Sequence, residues 1–239
     1  MMAGVLTDSQ LRARWRGEKT LTVPQDTVIT PAAMDFLREN NISLSRRSEG
    51  MTVEENPGGR YVEAATGRPM AEKTEDMTHL RGNLLLPKTH PRIAFRGKLD
   101  SVMADTLLAQ CLAREKGCAM AEDGLGEVLQ ALRAILAAEV KEEPLSPPTL
   151  FGLDSDRLRW VSQHIQEEMG MPHPIPEHTM GCLALTINRL RTQIRETELA
   201  AAAAFTGERE DLLLALNRLS SAVYILFCRL VAEQTGRFR

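Results

Sequence analysis

A chain of 239 residues, 43% hydrophobic and 26% charged, carries enough apolar mass for one main domain with a smaller appendage, and scarce aromatics (4%) beside abundant Leu and Ala favour helices. A net charge of −3 excludes the global basic field that captures nucleic-acid backbones, so any anion site has to be local. Cys111, Cys118, Cys182 and Cys228 stand singly, without the close pairing of a zinc site or a disulfide framework. The start lacks an apolar secretory core, and the most apolar run, AVYILFCRLVA, is short for a bilayer and holds Arg229, so a cytoplasmic protein outside the membrane is expected.

In chain order, LTVPQ reads as a short strand, Thr30 and Pro31 as the cap and first position of a helix through AAMDFLREN, and Ile42 and Leu44 as its closure. A small N-terminal α+β module over residues 1–45 follows. Residues 46–75 are polar, with turn signals at Asn56-Pro57-Gly58-Gly59 and Gly67-Arg68-Pro69, and predict a linker. Beyond it, apolar periodicity predicts helices at about 99–116, 125–141, 154–169, 179–206 and 209–235, an all-α five-helix bundle spanning 76–239. Leu212, Leu216, Leu219, Val223, Leu226 and Leu230 alternate spacings of four and three, the seam of a bundle helix, and Leu183, Ile187, Leu190 and Ile194 repeat the pattern.

No phosphate loop, dinucleotide fingerprint, nucleophile elbow or HExxH motif is present. Polar residues instead interrupt the bundle pattern in three segments. In KTHPRIAFRGKLDS, a basic loop runs into the first bundle helix with Asp100 near its start, either a dipole-stabilised helix-start carboxylate or part of a phosphate-facing loop. In RTQIRETE, the i, i+4, i+7 spacing puts Arg191, Arg195 and Glu198 on one stripe. That stripe is either a solvated face, its Arg195–Glu198 pair worth ~0.3–0.5 kcal/mol, or a ligand wall. In ALNRLSSAVY, Asn217, Ser221 and Tyr224 share a stripe beside the seam, and Asn is a poor helix-interior residue that needs either a buried partner or a ligand.

DMTHL, LPKTHPRIAFRGKLDS, RTQIRETE and ALNRLSSAVY, in that order over about residues 76–232, together resemble the cobalamin adenosyltransferases, closest to the ethanolamine-utilisation type and more distantly to the propanediol-utilisation type. The resemblance implies a bundle of that type that transfers the 5'-deoxyadenosyl group of ATP, with Mg²⁺, to cobalt(I) of cobalamin and releases triphosphate. It implies service to a cobalamin-dependent ethanolamine or diol enzyme, a cobalamin reductase as supplier, and a homotrimer with sites between subunits. Gly97 and Asp100 match the family's G-x-x-D, whose Asp bridges to a neighbouring subunit's Arg at the position of Arg191. Arg195 and Glu198 take positions lining the ATP site, Asn217 and Arg218 match L-N-R-L-S with the Asn at nucleotide and magnesium, and Lys88 matches a phosphate-holding basic residue. Arg195 and Asn217 are the residues on which catalysis is expected to depend most.

Two departures matter. The family's glycine-rich N-terminal phosphate stretch is absent, leaving Thr78, His79, Lys88 and Arg92 as its expected replacements. The His and Cys cluster of some ethanolamine-type members is absent too, since residues 45–76 hold neither residue type, so bound iron or zinc is not expected. In the loop 171–178, His173 falls near the family's lower-face aromatic; it reads either as an exposed loop histidine or, with Tyr224, as a corrinoid-side residue. Other readings remain: a non-catalytic corrinoid or nucleotide binder, which the joint presence of Asp100, Arg191 and Asn217 disfavours, and an interaction role. VITPAAMDFLRENNISL resembles N-terminal segments of bacterial microcompartment proteins, implying docking to a shell or partner that is compatible with catalysis.

Overall fold

A computed structural model of the chain describes residues 5–15, 20–24, 27–40, 42–47 and 60–236, in two units, Met1–Pro57 and Gly58–Arg239. In the first unit, strand β1 (Val5–Leu6) leads through Thr7 into helix α1 (Asp8–Arg14), where Thr7 and Gln10 form a reciprocal capping box. Strands β2 (Thr20–Pro24) and β3 (Val28–Ile29) precede helix α2 (Pro31–Glu39), and β4 (Ser43–Arg47) follows it. Thr30 caps α2 by accepting from the Ala33 amide, and Pro31 stands in the first turn, as expected. β1 pairs with β3 and β2 with β4, both parallel, around Leu6, Leu11, Val23, Phe36, Leu37 and Ile42.

The second unit opens on a four-stranded sheet in the order β6-β5-β8-β7, built from β5 (Tyr61–Glu63), β6 (Pro69–Met70), β7 (Met77–Arg81) and β8 (Leu84–Pro87). The stretch expected to be a linker, 46–75, is therefore folded from residue 60 onward; its Asn56–Gly59 turn lies outside the described residues. β5 and β6 are too short to show an alternating pattern, and β5 is specified by parallel pairing with Leu84 and Leu85 far along the chain. Gly82 (φ +50) supplies the turn of the β7–β8 hairpin, which buries Met77, Leu80, Leu85 and Leu86.

Four long helices make the bundle: α3 (Pro91–Glu115), α4 (Ala119–Lys141), α7 (Gly181–Phe205) and α8 (Glu210–Gln234). Helix α7 packs on α3 and α8, and α4 packs on α3 and α8. Between α4 and α7 lie α5 (Ser155–Gln163) and α6 (Ile165–Met169), both against α8, so the helix expected at 154–169 is broken at His164. The seam leucines of α8 and the apolar stripe of α7 are buried as their spacing requires, each large side chain contributing about 1.5–3 kcal/mol. Among the described helices, α8 alone is long and apolar enough to cross a membrane, but 61% of its most apolar window is buried inside the bundle, so that apolarity belongs to the core.

Two helix starts differ from expectation. α3 begins at Pro91, not near 99, because His90 accepts the Arg92 amide and Pro91 fits the first turn. Its first turns look polar because Arg92 and Arg96 turn inward to Glu139 of α4, a fully buried carboxylate, at 2.8 and 2.6 Å. α4 begins at Ala119, not near 125, its glycines being packing residues: a Cβ at Gly124 would lie 2.9 Å from Leu226 Cδ1. Gly124 thus lets α4 approach α8 closely.

Candidate active site

Helices α7 and α8 form an antiparallel pair through a short turn at Thr206 and Gly207, both at positive φ, and this brings the RTQIRETE and ALNRLSSAVY segments face to face. Asn217 Nδ2 donates to Glu198 Oε1 at 3.1 Å, and Asn217 Oδ1 accepts from Arg218 Nη1 at 2.7 Å. Arg218 Nε in turn donates to Ser155 Oγ at 3.0 Å, at the start of α5. The chain Ser155–Arg218–Asn217–Glu198 fixes which way the Asn217 amide points. Asn217 is exposed, so it is not a buried amide serving only its neighbour helix; Arg218 behind it is 7% exposed and has no carboxylate partner among the described residues.

The exposed side of Asn217 opens on a cleft of about 650 Å³. Helix α7 gives it Arg195, Glu198 and Leu199, and α8 gives it Ser220 and Ser221. Its remaining wall is α5, through Arg159 and Gln163, residues not singled out from sequence; their i, i+4 spacing was the available signal, but it matches any exposed helix face. Arg159 and Arg195 are exposed and make no side-chain ion pair or hydrogen bond among the described residues. Two guanidinium groups without an ion pair among the described residues, against the one lining carboxylate of Glu198, can attract a polyanion.

One turn before Arg195, Arg191 receives support from Asn188, Nε to Oδ1 at 3.1 Å, and lies 5.8 Å from the Tyr224 ring centre. The Tyr224 hydroxyl is 2.7 Å from His173 Nδ1, and the two rings stack at 5.9 Å. The two expected corrinoid-side residues thus meet, and the contact ties the loop 171–178 to α8. Burial, with the Cys228 thiol next to it, raises the Tyr224 hydroxyl well above its ordinary range, and burial pushes Cys228 up to about 12. Both groups keep their protons at neutral pH.

The expected phosphate replacements lie elsewhere. Thr78 and His79 sit on β7, where Thr78 pairs with Leu86 and His79 Nδ1 lies 3.1 Å from the Gly82 carbonyl oxygen. Lys88 follows β8 and reaches Glu75 only at 4.0 Å, with both side chains exposed. Arg92 is held by Glu139 and by Glu142 (3.2 Å) and covers Phe205, seven residues and about 10 Å of helix rise beyond Glu198. None of the four lines the cleft of this chain, and Arg92 is already neutralised. Asp100 lies in the third turn of α3, past the reach of the helix-start dipole, exposed and without a side-chain partner among the described residues. It does not pair with Arg191 within the chain.

Residues 71–230 match the family model described as cobalamin adenosyltransferase. The chain is 28% identical over 256 aligned residues to the corrinoid adenosyltransferase EutT of Salmonella typhimurium, with 97% of this chain and 94% of that protein covered. It is also 28% identical over 257 aligned residues to the corrinoid adenosyltransferase EutT of Escherichia coli K12, covering 98% and 94%. No solved structure matches the chain significantly. With the family match spanning more than half its length and holding every residue of the cleft, this chain belongs to the cobalamin adenosyltransferase family.

Proposed function

We propose that the chain is an ATP:cob(I)alamin adenosyltransferase of the ethanolamine-utilisation type, and that the cleft between α5, α7 and α8 is its nucleotide site. The observation that carries this is the Asn217 amide, held between Glu198 and the buried Arg218 and facing a cleft whose Arg159 and Arg195 make no ion pair among the described residues. Cobalt(I) of the substrate is itself the nucleophile. It attacks the 5'-carbon of ATP, a cobalt–carbon bond forms, the carbon–oxygen bond breaks, and triphosphate leaves with the electron pair. No general base is required, so the protein's task is to orient the ribose carbon and to stabilise charge growing on the leaving phosphates.

Arg195 would take the phosphates, and Glu198 with Asn217 the magnesium and nucleotide. Those are hard oxygen donors that suit Mg²⁺, whose other ligands the phosphate oxygens would supply. Bound Mg²⁺ would neutralise part of the triphosphate charge. His173 and Tyr224 stand on the corrinoid side, their contact closing the loop 171–178 against α8. Asp100, exposed and unpartnered among the described residues, would bridge to Arg191 of a second copy in a homotrimer. Docking of the N-terminal unit to a microcompartment shell or partner rests on the resemblance of VITPAAMDFLRENNISL, within which Val28 and Met34 are exposed.

The activity is tested by incubating the purified chain with ATP, Mg²⁺ and chemically reduced cobalamin while following the absorbance change of cobalt–carbon bond formation, with photolysis of the product as control. Light-sensitive adenosylcobalamin is expected to accumulate. A rate no higher than that without protein would leave only a corrinoid or nucleotide binder.

A further inference from the structure

The structure assigns Arg159, on α5, as the second cation of a triphosphate clamp opposite Arg195. This rests on the reading of the cleft as the nucleotide site and names a residue from a helix that none of the recognised motifs touches. Ser155, Arg159 and Gln163 recur every fourth residue along α5 and therefore share one stripe. Ser155, at the top of that stripe, accepts from Arg218, the residue that orients the Asn217 amide, and Arg159 and Gln163 below it line the cleft. The hydrogen bond at Ser155 thus fixes α5 in register with the nucleotide-facing side of α8.

The two arginines of α5 are treated differently. Arg157 is taken up by Glu168 at 2.7 Å and lies 4.3 Å from the Trp160 ring centre. Arg159, two residues on, is exposed, lines the cleft and meets no carboxylate among the described residues. Arg159 and Arg195, with Arg218 behind Asn217, set three positive charges against Glu198, in a protein whose overall charge is negative. A local excess of that sign selects an anion of high charge, and two guanidinium forks on facing walls can each take two phosphate oxygens. The chain lacks the family's glycine-rich phosphate stretch, and Arg159 supplies a cation that the residues around the sheet do not bring to the cleft.

The test is a set of titrations of the full chain with ATP, inorganic tripolyphosphate and adenosine, comparing wild type with Arg159→Ala and Arg159→Lys. Arg159→Ala should weaken ATP and tripolyphosphate by about ten-fold or more and leave adenosine unchanged. Arg159→Lys should recover part of the loss. Circular dichroism and the unfolding midpoint should match wild type for both variants, and if the alanine variant fails to fold, the lysine variant and Arg159→Gln carry the comparison. Wild-type tripolyphosphate affinity retained in the variants would overturn the assignment. Absence of adenosylcobalamin synthesis by wild type would defeat the proposed activity instead, and the tripolyphosphate titration would still judge the clamp.

Discussion

Arginines crowd two regions of the bundle, and the fold treats them in opposite ways. Where α3 meets α4, Arg92 and Arg96 close on Glu139, which is fully buried, and a neighbouring pair, Arg209 with Asp211, fastens the loop after α4 to the start of α8 through the Leu145 amide. In the cleft between α5, α7 and α8, among the described residues, Arg159 and Arg195 form no ion pair with a carboxylate, and the buried Arg218 hydrogen-bonds the neutral oxygens of Ser155 and Asn217. A charge removed from water costs several kcal/mol unless it is neutralised nearby, a cost that bears on Arg92, Arg96 and Arg218 but not on the exposed Arg159 and Arg195. The first region neutralises its arginines internally and so holds structure. The second holds its arginines without an ion pair among the described residues, which is the ground on which we propose it as the nucleotide site.

The strongest way to break this contrast is to remove the carboxylate of the closed region. Glu139→Ala leaves Arg96, 18% exposed, without its carboxylate and Arg92, 17% exposed, with Glu142 as its remaining one, and should lower the unfolding free energy by about 3–5 kcal/mol in urea titrations. Adenosylation per folded molecule should stay near wild type. A stable variant with damaged turnover would show that the closed cluster belongs to the site after all.

A smaller effect sharpens the same point through pH. The Arg209 guanidinium, with the amides of Leu145 and Leu212, holds the Asp211 carboxyl down at about 2, against an ordinary value near 3.8. Because the folded value is depressed, the stabilisation is complete above the unfolded value and is lost as pH falls from about 4 through about 2. It amounts to about 2 kcal/mol. Asp211→Asn should therefore cost about that much at pH 7, and the deficit relative to wild type should shrink towards zero by pH 2 in thermal unfolding. A deficit independent of pH would mean that Asp211 acts through packing and not through charge.

How much could be read in advance follows from where each signal lives. The α8 seam from Leu212 to Leu230 was legible because its partners all lie on one side and the three-and-four spacing survives intact. The start of α3 was not, because Arg92 and Arg96 occupy inward positions and their partner Glu139 stands 47 and 43 residues away. Strands β5 and β6 were hidden by brevity, and the break between α5 and α6 by continuous apolar spacing across His164. In the site, the stripe of Arg195 and Glu198 and the misfit of Asn217 were visible in single helices. Ser155 and Arg159 were not, since only the packing of α5 on α8 gives their stripe something to face.

Whether the Asn217 amide serves a ligand or the fold is tested most directly by Asn217→Ala, with the adenosylation rate and the thermal midpoint measured on the same preparation. Removing an exposed amide that orients Glu198 and faces the cleft should slow adenosylcobalamin formation about 100-fold while moving the midpoint by no more than about 3 °C. A collapse of the midpoint with activity per folded molecule preserved would contradict the account and make Asn217 a structural tie between α7 and α8.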